Sequence, residues 1–329
     1  MNAPLVTVVI PSHNRPEMLE EALESVVQQT LSNWEAIVVD DGSRPPVAFD
    51  RLQQRFGPRL RGIRHDVSRG GPAAKNAGVR SAHGQFLAHL DDDDLYHPEY
   101  LDSAANVLRE FSDVDVVFMG VSCFGARASS SQSVYARAME RTLSRAKGTE
   151  VRPGLIIFGD PLVEALLRSV PMAFQRPVAR RSAIDHIGLY REHCFLWDCD
   201  WAIRAAVTRR TALLTQPLYR QRTGDQGYST THKRIHDAAL SGIEIMETLV
   251  ARANAEPELR KWEDAFREAA ARGFLDLAYF HQARREWRDA WQAWLCSQRR
   301  QLSPKRFTFL LRLVASALAI PKRTSQSRA

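Results

Sequence analysis

Four consecutive carboxylates, Asp91 to Asp94, are the densest cluster of chemically active side chains in this sequence. They directly follow the apolar run QFLAHL at residues 85–90, although adjacent Asp side chains repel one another and fit poorly in helices and strands. Because residues two apart in an extended segment point to the same side, Asp91 and Asp93 can face one crevice together. Hard divalent cations favour carboxylate oxygens, so this run predicts either a cation site or a solvated turn.

The elements around this run predict where it lies in the fold. Apolar, β-branched segments alternate with segments of helical periodicity over the first 120 residues, with strands expected near residues 5–11, 34–39, 60–65, 85–90 and 115–120. This alternation predicts a mostly parallel sheet covered by helices on both faces. Ligands of such sheets bind beyond the carboxyl ends of the strands. We therefore expect one crevice to be lined by the three segments that follow strands, Pro11–Asn14, Asp40–Ser43 and Asp91–Asp94.

Composition and charge narrow the class of protein. A hydrophobic content of 44% and a charged content of 25% are typical of a globular chain. The net charge is +7, but residues 290–329 hold eight Lys or Arg and no acidic residue, so basicity belongs to a tail and does not predict nucleic-acid binding. The four Cys residues show no spacing typical of a metal site or of disulfides, and the sequence has neither a signal peptide nor an apolar run long enough to span a membrane. These observations predict a cytoplasmic protein.

Four segments in register carry a resemblance to a known family. The turn after the first strand, PSHNR, has no Gly-rich dinucleotide or P-loop pattern. Instead, the chain resembles the N-terminal half of family 2 glycosyltransferases, closely over residues 5–120 and more loosely over 170–225. The segments that carry the resemblance are VTVVIPSHNRPEMLEEALESVVQQT, EAIVVDDGS, GGPAAKNAG and GQFLAHLDDDD. The resemblance implies a GT-A-like fold and inverting transfer of a sugar from a nucleoside-diphosphate sugar to an acceptor hydroxyl, with Mn²⁺ or Mg²⁺ holding the diphosphate.

The resemblance also assigns roles to individual residues. Asp93 is expected to contact the metal, with Asp91 as a further ligand and Asp91 or Asp92 acting through water or on the ribose. Asp41 is expected to accept a hydrogen bond from a pyrimidine ring, and Lys75 to meet phosphate unless it belongs to a solvated helix face. The remaining expected donor-site residues are Pro11, Ser12, His13, Asn14, Asn76 and Arg222, and His232 is expected to bind the metal.

A second acidic segment, CFLWDCDWAIRAA at residues 194–206, resembles the family's Glu-Asp-x-Asp motif at a helix start. Asp198 then falls on the position of the general base that takes the proton of the acceptor hydroxyl. Trp197 stands where the family often has Glu. The alternative is that Asp198 and Asp200 only cap the helix.

The domain organisation follows from the same patterns. Residues 1–232 are predicted to form the GT-A-like domain, with a nucleotide-sugar half at 1–120 and an acceptor-side half at 121–232. Residues 124–150 are small, polar and basic and predict a mobile loop, and residues 233–329 predict a helical extension. Within it FTFLLRLVASALAI, residues 307–320, is flanked by basic pairs, which suits either an in-plane helix at an anionic membrane or a helix buried against the protein.

The function implied is cell-surface glycan synthesis on a glycan or lipid-linked acceptor, in the cytoplasm or on the inner face of the membrane. Two alternatives stay open. A nucleotidylyltransferase would also use acidic metal ligands, but would want a Gly-rich basic loop after the first strand. A catalytically altered binding or scaffold protein would act through the basic tail.

Overall fold

The computed structural model describes residues 3–224 and 232–318 of the chain. The chain divides into two compact units, Met1–Tyr228 and Ser229–Ala329. The first is an α/β unit around a central sheet, and the second is helical. In the described part of the chain, no helix combines the length and the apolar composition that crossing a bilayer requires.

A ten-stranded sheet forms the centre of the described part of the first unit. Its strands are β1 (Val6–Ser12), β2 (Trp34–Asp41), β3 (Leu60–His65), β4 (Phe86–His89), β5 (Leu95–Tyr96), β6 (Val116–Phe124), β7 (Thr149–Arg152), β8 (Leu155–Phe158), β9 (Pro177–Arg180) and β10 (Thr211–Arg222). The order is β3-β2-β1-β4-β9-β6-β10-β8-β7, and β5 pairs with β10. The pairs β3–β2, β2–β1, β1–β4 and β6–β10 are parallel, which confirms the predicted fold class, whereas β9 is antiparallel to both of its neighbours.

Eight α-helices belong to the described part of this unit. They are α1 (Pro16–Val27), α2 (Phe49–Phe56), α3 (Gly71–Arg80), α4 (Tyr100–Glu110), α5 (Ala128–Ala146), α6 (Pro161–Leu166), α7 (Ile184–Ile187) and α8 (Trp197–Thr208). Helix α1 has Pro16 in its first turn and buries Leu19, Leu23 and Val26 in the core. Helix α3 packs so closely on β1 that a Cβ at Gly78 would lie 2.3 Å from a methyl of Val9, so this contact requires glycine.

The predicted mobile loop over residues 124–150 is wrong. Residues 128–146 form the 19-residue helix α5. The serines that suggested a loop lie at the start of the helix, where hydroxyls bond carbonyls of the preceding turn, as Ser133 does to Ser129. Residues on one face of this helix pack against the protein and stabilise it, because Thr142 and Ala146 are buried and Tyr135 packs against the core.

Four α-helices form the described part of the second unit, as the sequence predicts for this segment. They are α9 (His232–Ala255), α10 (Glu263–Ala283), α11 (Trp287–Arg300) and α12 (Phe307–Leu318). Trp294 lies in their core, and its indole N–H donates to the carbonyl of Arg306 at 3.0 Å. Phe309 and Leu313 are also buried there, so one face of α12 packs on the rest of the unit.

Candidate active site at the strand ends

The acidic run lies where the strand order of the sheet reverses. Strand β1 has β2 on one side and β4 on the other, and this arrangement opens a crevice beyond the carboxyl ends of β1 and β4. Pro11 and Ser12 end β1, and Asp91–Asp94 follow β4. The backbone N–H of His13 donates to the Asp92 carboxylate at 3.4 Å. The structure therefore brings the first and fourth strand ends together at one place.

Asp91 is held by two buried cations. Its carboxylate lies 2.7 Å from the ammonium of Lys75 and 3.3 Å from the guanidinium of Arg176. Burial alone would raise the pKa of Asp91, but the charges of Lys75 and Arg176 hold it well below its usual range. The ammonium of Lys75 also lies 4.6 Å from the ring centre of Trp197. Lys75 is only 2% exposed, so the alternative of a solvated helix face is wrong.

Arg15 pairs with the next two carboxylates. Its guanidinium lies 3.0 Å from Asp92 and 2.9 Å from Asp93. Burial raises the pKa of Asp92 to about 6, because the charge of Arg15 offsets only part of the desolvation. Burial also raises the pKa of Asp93, and the negative charge of Asp91 raises it further. Negative charge is therefore crowded around Asp92 and Asp93 even with Arg15 beside them.

The buried carboxylate of Asp94 holds strand β10 in place. Its carboxylate accepts hydrogen bonds from the hydroxyl of Tyr219 at 2.8 Å and the backbone N–H of Arg222 at 2.7 Å. The guanidinium of Arg222 donates to the carbonyl of Asp93 at 2.8 Å and pairs with Glu21. Burial raises the pKa of Asp94 to about 7. Asp94 thus fixes β10 to the acidic run, and Arg222 reaches the edge of the crevice.

Arg176 is the central residue that the sequence did not predict. It is 5% exposed, contacts Asp91, lies 3.6 Å from Asp94, and has its guanidinium 4.8 Å from the ring centre of Tyr219. Its Nε atom is buried and has no hydrogen-bond partner among the described residues. The surrounding sequence, MAFQRPVAR, has no acidic or glycine pattern that marks a site. Only the antiparallel strand β9, which begins at the following residue, brings Arg176 beneath the carboxylates.

Residues after β1 connect the crevice to the end of β2. The Nδ1 atom of His13 donates to the carbonyl of Asp41 at 2.7 Å. The backbone N–H of Asn14 donates to Ser43 Oγ at 3.0 Å, and Asn14 Oδ1 accepts from the backbone N–H of Arg44 at 2.7 Å. Asn14 has a φ of 56°, a left-handed conformation that Asn tolerates better than most residues. These bonds fix the polar segment that lines one side of the crevice.

The Asp41 carboxylate organises the loop that leads into α3. It accepts from the backbone N–H groups of Arg69 at 2.9 Å and Gly70 at 2.8 Å, from Ser68 Oγ at 2.7 Å and from the ring of His65 at 2.7 Å. Burial would raise the pKa of Asp41, but these donors together lower it. Asp41 is 4% exposed, so any contact with a nucleotide ring would be added to a carboxylate that already has several donors.

Asn76 ties α3 to the segment before α8. Its amide donates to the carbonyl of Tyr190 at 2.8 Å and accepts from the backbone N–H of Tyr190 at 2.9 Å. The Tyr190 ring is nearly perpendicular to the Trp197 ring, with 5.0 Å between the ring centres. Asn76 is 1% exposed, so it braces this segment from within the protein. Trp197 in turn lies against Lys75, which connects the start of α8 to the acidic run.

Asp198 and Asp200 lie in very different surroundings at the start of α8. Asp198 is partly exposed, and its carboxylate accepts from the backbone N–H of Cys199 at 2.7 Å. Asp200 is 1% exposed and pairs with Arg204 and with Arg191. Of the two carboxylates, only Asp198 is accessible from outside the protein.

The carboxylate oxygens of the acidic run are suitable ligands for a hard divalent cation. The side chains of Asp91 and Asp93 are 27% and 34% exposed, and each offers carboxylate oxygens of the kind that Mg²⁺ and Mn²⁺ bind. Two protein ligands leave coordination positions for phosphate and water, which is usual for Mg²⁺ beside a substrate phosphate. The side chain of His232 lies outside the part of the chain that the structure describes, so its predicted metal role stays a prediction.

Comparison with known proteins finds similarity to glycosyltransferases. A family model described as glycosyl transferase family 2 matches residues 7–157. A protein of Escherichia coli, named as the colanic acid biosynthesis glycosyl transferase WcaA, is 36% identical over 104 residues, which are 30% of this chain and 36% of that protein. The chain also spans 40% or less of the length of other curated relatives that it matches.

Two solved structures share the fold over almost the whole chain. S. aureus TarS 1-349 in complex with UDP-GlcNAc aligns with a TM-score of 0.60 at 18% identity, covering 95% of this chain and 87% of that one. The mannosyltransferase PcManGT from Pyrobaculum calidifontis, in complex with GDP-Man and Mn²⁺, aligns with a TM-score of 0.57 at 20% identity, covering 98% and 82%. At these identities the likeness establishes the fold.

Proposed function

We propose that this chain, whose residues 7–157 match the model of glycosyl transferase family 2, transfers a sugar from a nucleoside-diphosphate sugar to an acceptor hydroxyl with inversion at the anomeric carbon. The observation that carries the proposal is the pair of partly exposed carboxylates, Asp91 and Asp93, at the strand-order reversal, with the buried cations Lys75 and Arg176 beside them. A site with carboxylates for a metal ion and with Lys75 and Arg176 beside them is suited to an anionic ligand that binds together with that metal ion.

The nucleotide would lie along the end of β1. Pro11, Ser12, His13 and Asn14 supply backbone and side-chain polar groups on one wall, and the loop organised by Asp41 closes the other end. In this arrangement Asp91 or Asp92 would act through water or on the ribose. The family names and the nucleotide-sugar complexes of the two similar structures support this placement by analogy.

The diphosphate would lie beside Asp91 and Asp93. These two residues would hold Mn²⁺ or Mg²⁺, which neutralises the negative charge that develops on the departing diphosphate. Lys75 and Arg222 supply positive charge at the floor and at the edge of the same crevice. Asn76 contributes indirectly, because it positions the segment that carries Trp197.

The acceptor would approach the start of α8. Asp198 takes the proton from the acceptor hydroxyl while that oxygen forms its bond to the anomeric carbon and the bond to the diphosphate oxygen breaks. Its partial exposure and its position near Arg176 support this role. Trp197, in place of the family's Glu, removes one negative charge from this side and lays an aromatic ring against Lys75.

The two alternatives are less consistent with the site. A nucleotidylyltransferase would need a basic Gly-rich loop after β1, whereas this chain has SHNR there, with its single cation, Arg15, already paired with Asp92 and Asp93. A catalytically altered binding protein would not need the accessible Asp198 next to an intact acidic run.

The biological setting is part of the proposal. The name of the Escherichia coli relative supports synthesis of a cell-surface glycan on a glycan or lipid-linked acceptor, at the cytoplasmic face of the membrane. Helix α12 supports a peripheral contact with anionic lipid, because Phe307 and Leu311 are 46% and 72% exposed. Arg306 is paired with Glu268, so that cation is not available to lipid. Lys322 and Arg323 lie outside the described residues.

The decisive experiment is a thermal-shift panel of UDP, GDP, CDP and dTDP, each with and without Mn²⁺. A ligand at 100 times its dissociation constant should add about 2.7 kcal/mol to the free energy of unfolding. We expect one nucleotide to stabilise the chain only in the presence of Mn²⁺, and Asp93→Asn to remove that dependence. Asp113→Asn, a surface change far from the crevice, is the matched control. Equal stabilisation with and without Mn²⁺ would contradict the metal assignment, and no stabilisation by any nucleotide would contradict the donor class.

A further inference from the structure

A tight turn in the second unit brings a histidine and two carboxylates together. Helix α10 ends and α11 begins within four residues, and Arg285 adopts a left-handed φ of 62° to make this turn. The backbone N–H of Glu286 donates to the carbonyl of His281 at 3.0 Å. The turn therefore places Glu286 and Asp289, from the start of α11, beside the His281 ring at the end of α10.

The ligand atoms of this cluster are close enough to share an ion. The Nδ1 atom of His281 lies 2.7 Å from Glu286 Oε2, and one ligand atom from each of His281, Glu286 and Asp289 lies within 4.8 Å of the others. A second imidazole, His236 of α9, has its ring centre 5.7 Å from that of His281. Two imidazoles and two carboxylates from three helices thus meet on one side of the unit.

We propose that this cluster binds a first-row transition metal ion such as Zn²⁺, with His281, Glu286 and Asp289 as ligands and the fourth position left for water. Zn²⁺ takes imidazole nitrogen and carboxylate oxygen at about 2.0–2.2 Å in a tetrahedral arrangement. Ligation by imidazole separates this site chemically from the all-oxygen pair at Asp91 and Asp93, because imidazole suits Zn²⁺ and carboxylates suit Mg²⁺ and Mn²⁺. The ion would replace the proton between His281 and Glu286.

A purely structural explanation exists and gives different expectations. Glu286 also accepts from Arg284 Nε at 2.8 Å, and carboxylates in the first turn of α11 interact favourably with the helix dipole. These contacts account for Glu286. They do not require a ligand atom of Asp289 to lie within 4.8 Å of those of His281 and Glu286, as it does here. Metal binding would join the end of α10 to the start of α11, whereas the structural explanation predicts no metal affinity.

The test is calorimetric titration of the full reduced chain with ZnCl₂, in saturating Mg²⁺ so that the oxygen site is occupied. We expect one Zn²⁺ per chain, with affinity that falls as the pH is lowered, because Zn²⁺ binds deprotonated ligands. His281→Ala and Asp289→Asn should each weaken binding by more than the roughly 10–100-fold that loss of an outer-shell partner costs.

Control variants separate this site from incidental binding. His186→Ala changes an exposed histidine of the first unit, and Asp264→Asn changes an exposed carboxylate at the far end of α10. Both should bind Zn²⁺ like the unchanged chain. Wild-type affinity in His281→Ala and Asp289→Asn, or the absence of Zn²⁺ binding in the unchanged chain, would overturn the proposal. A loss in His281→Ala with the melting temperature unchanged would exclude misfolding as the cause.

Discussion

The carboxylate of Asp200 lies 2.8 Å from the guanidinium of Arg204, and both side chains are almost completely buried. Arg204 also donates to the carbonyl of Leu189 at 2.9 Å, so the pair fastens α8 to the segment before it. Asp198, two residues earlier, has no comparable role in packing and remains accessible. The two aspartates of this segment therefore divide into a structural residue and a candidate for chemistry.

Asp200→Asn is expected to destabilise the first unit. Removing one charge of a buried pair leaves the other uncompensated, which typically costs about 3–5 kcal/mol. Urea denaturation followed by tryptophan fluorescence measures the loss, since Trp201 lies next to the pair. Asp198→Asn should change the unfolding midpoint by much less. Equal stabilities of the two variants would contradict the structural assignment of Asp200.

Glu35 should give the first unit an acid-sensitive contribution to stability. Its carboxylate accepts from Thr7 Oγ1 and the backbone N–H of His83, both at 2.7 Å, and from Arg61 at 2.9 Å. Burial raises the pKa of Glu35, but these donors lower it below its ordinary value overall. A group with a lowered folded pKa stabilises the protein above its unfolded pKa, near 4.3, and loses that contribution as the pH falls through the folded pKa.

Glu35→Gln should therefore cost about 1.5–3 kcal/mol at pH 7, the usual contribution of a hydrogen bond to a charged group. The difference from the unchanged chain should shrink as the pH falls below about 4.3. Chemical denaturation at a series of pH values measures both quantities. Glu164→Gln, which changes a carboxylate in α6, serves as the control. A difference that grows on acidification would contradict the assignment.

Local sequence patterns predicted much of the fold and the composition of the crevice. Apolar runs with turn residues behind them located β1, β2, β4 and β6, and the parallel topology then required Pro11–Asn14 and Asp91–Asp94 to lie close together. Such signals are strong because a buried strand tolerates few polar residues. The roles of these residues in binding and catalysis remain predictions, because geometry without a donor does not test them.

Contacts between distant segments could not be predicted in the same way. Arg176 reaches Asp91 and Asp94 only because the short antiparallel strand β9 is inserted between β4 and β6, and four residues give no periodic signal. Lys75 was placed on a helix correctly, but its burial against Asp91 and Trp197 depends on how α3 and α8 pack. Electrostatic pairing that is set by tertiary packing leaves no pattern along the chain.

The two faces of helix α12 are expected to have different roles, one in lipid contact and one in packing. Leu311 is 72% exposed, whereas Phe309 is fully buried in the helical unit. If α12 contacts lipid, Leu311→Asp should weaken sedimentation with anionic vesicles by roughly 10–100-fold, because burying a leucine contributes about 1.5–3 kcal/mol. Val134→Asp, an exposed apolar position of the first unit, is the control. Unchanged sedimentation of Leu311→Asp would exclude this face as the membrane contact.

The buried face of the same helix determines how that experiment should be designed. Phe309→Ala should cost about 3–5 kcal/mol, since it empties a core position. Truncation before α12 would remove the same side chain together with Leu313, so a truncated chain would confuse lost lipid binding with lost stability. A thermal melt of each variant separates the two effects. A stable Phe309→Ala variant would contradict the packing of α12.

The strongest test of the proposed chemistry concerns Asp198 as the general base. A base acts in the transition state, so its loss should lower turnover while donor affinity stays nearly unchanged. General-base catalysis typically contributes about 10²–10⁴ in rate, so Asp198→Asn should reduce kcat on that order. Steady-state transfer measured alongside donor binding separates the two quantities. Asp185→Asn, an exposed aspartate that precedes this segment, is the matched control. Near-normal turnover in Asp198→Asn would place the base elsewhere, and equal losses of kcat and donor affinity would indicate that Asp198 shapes the donor site instead.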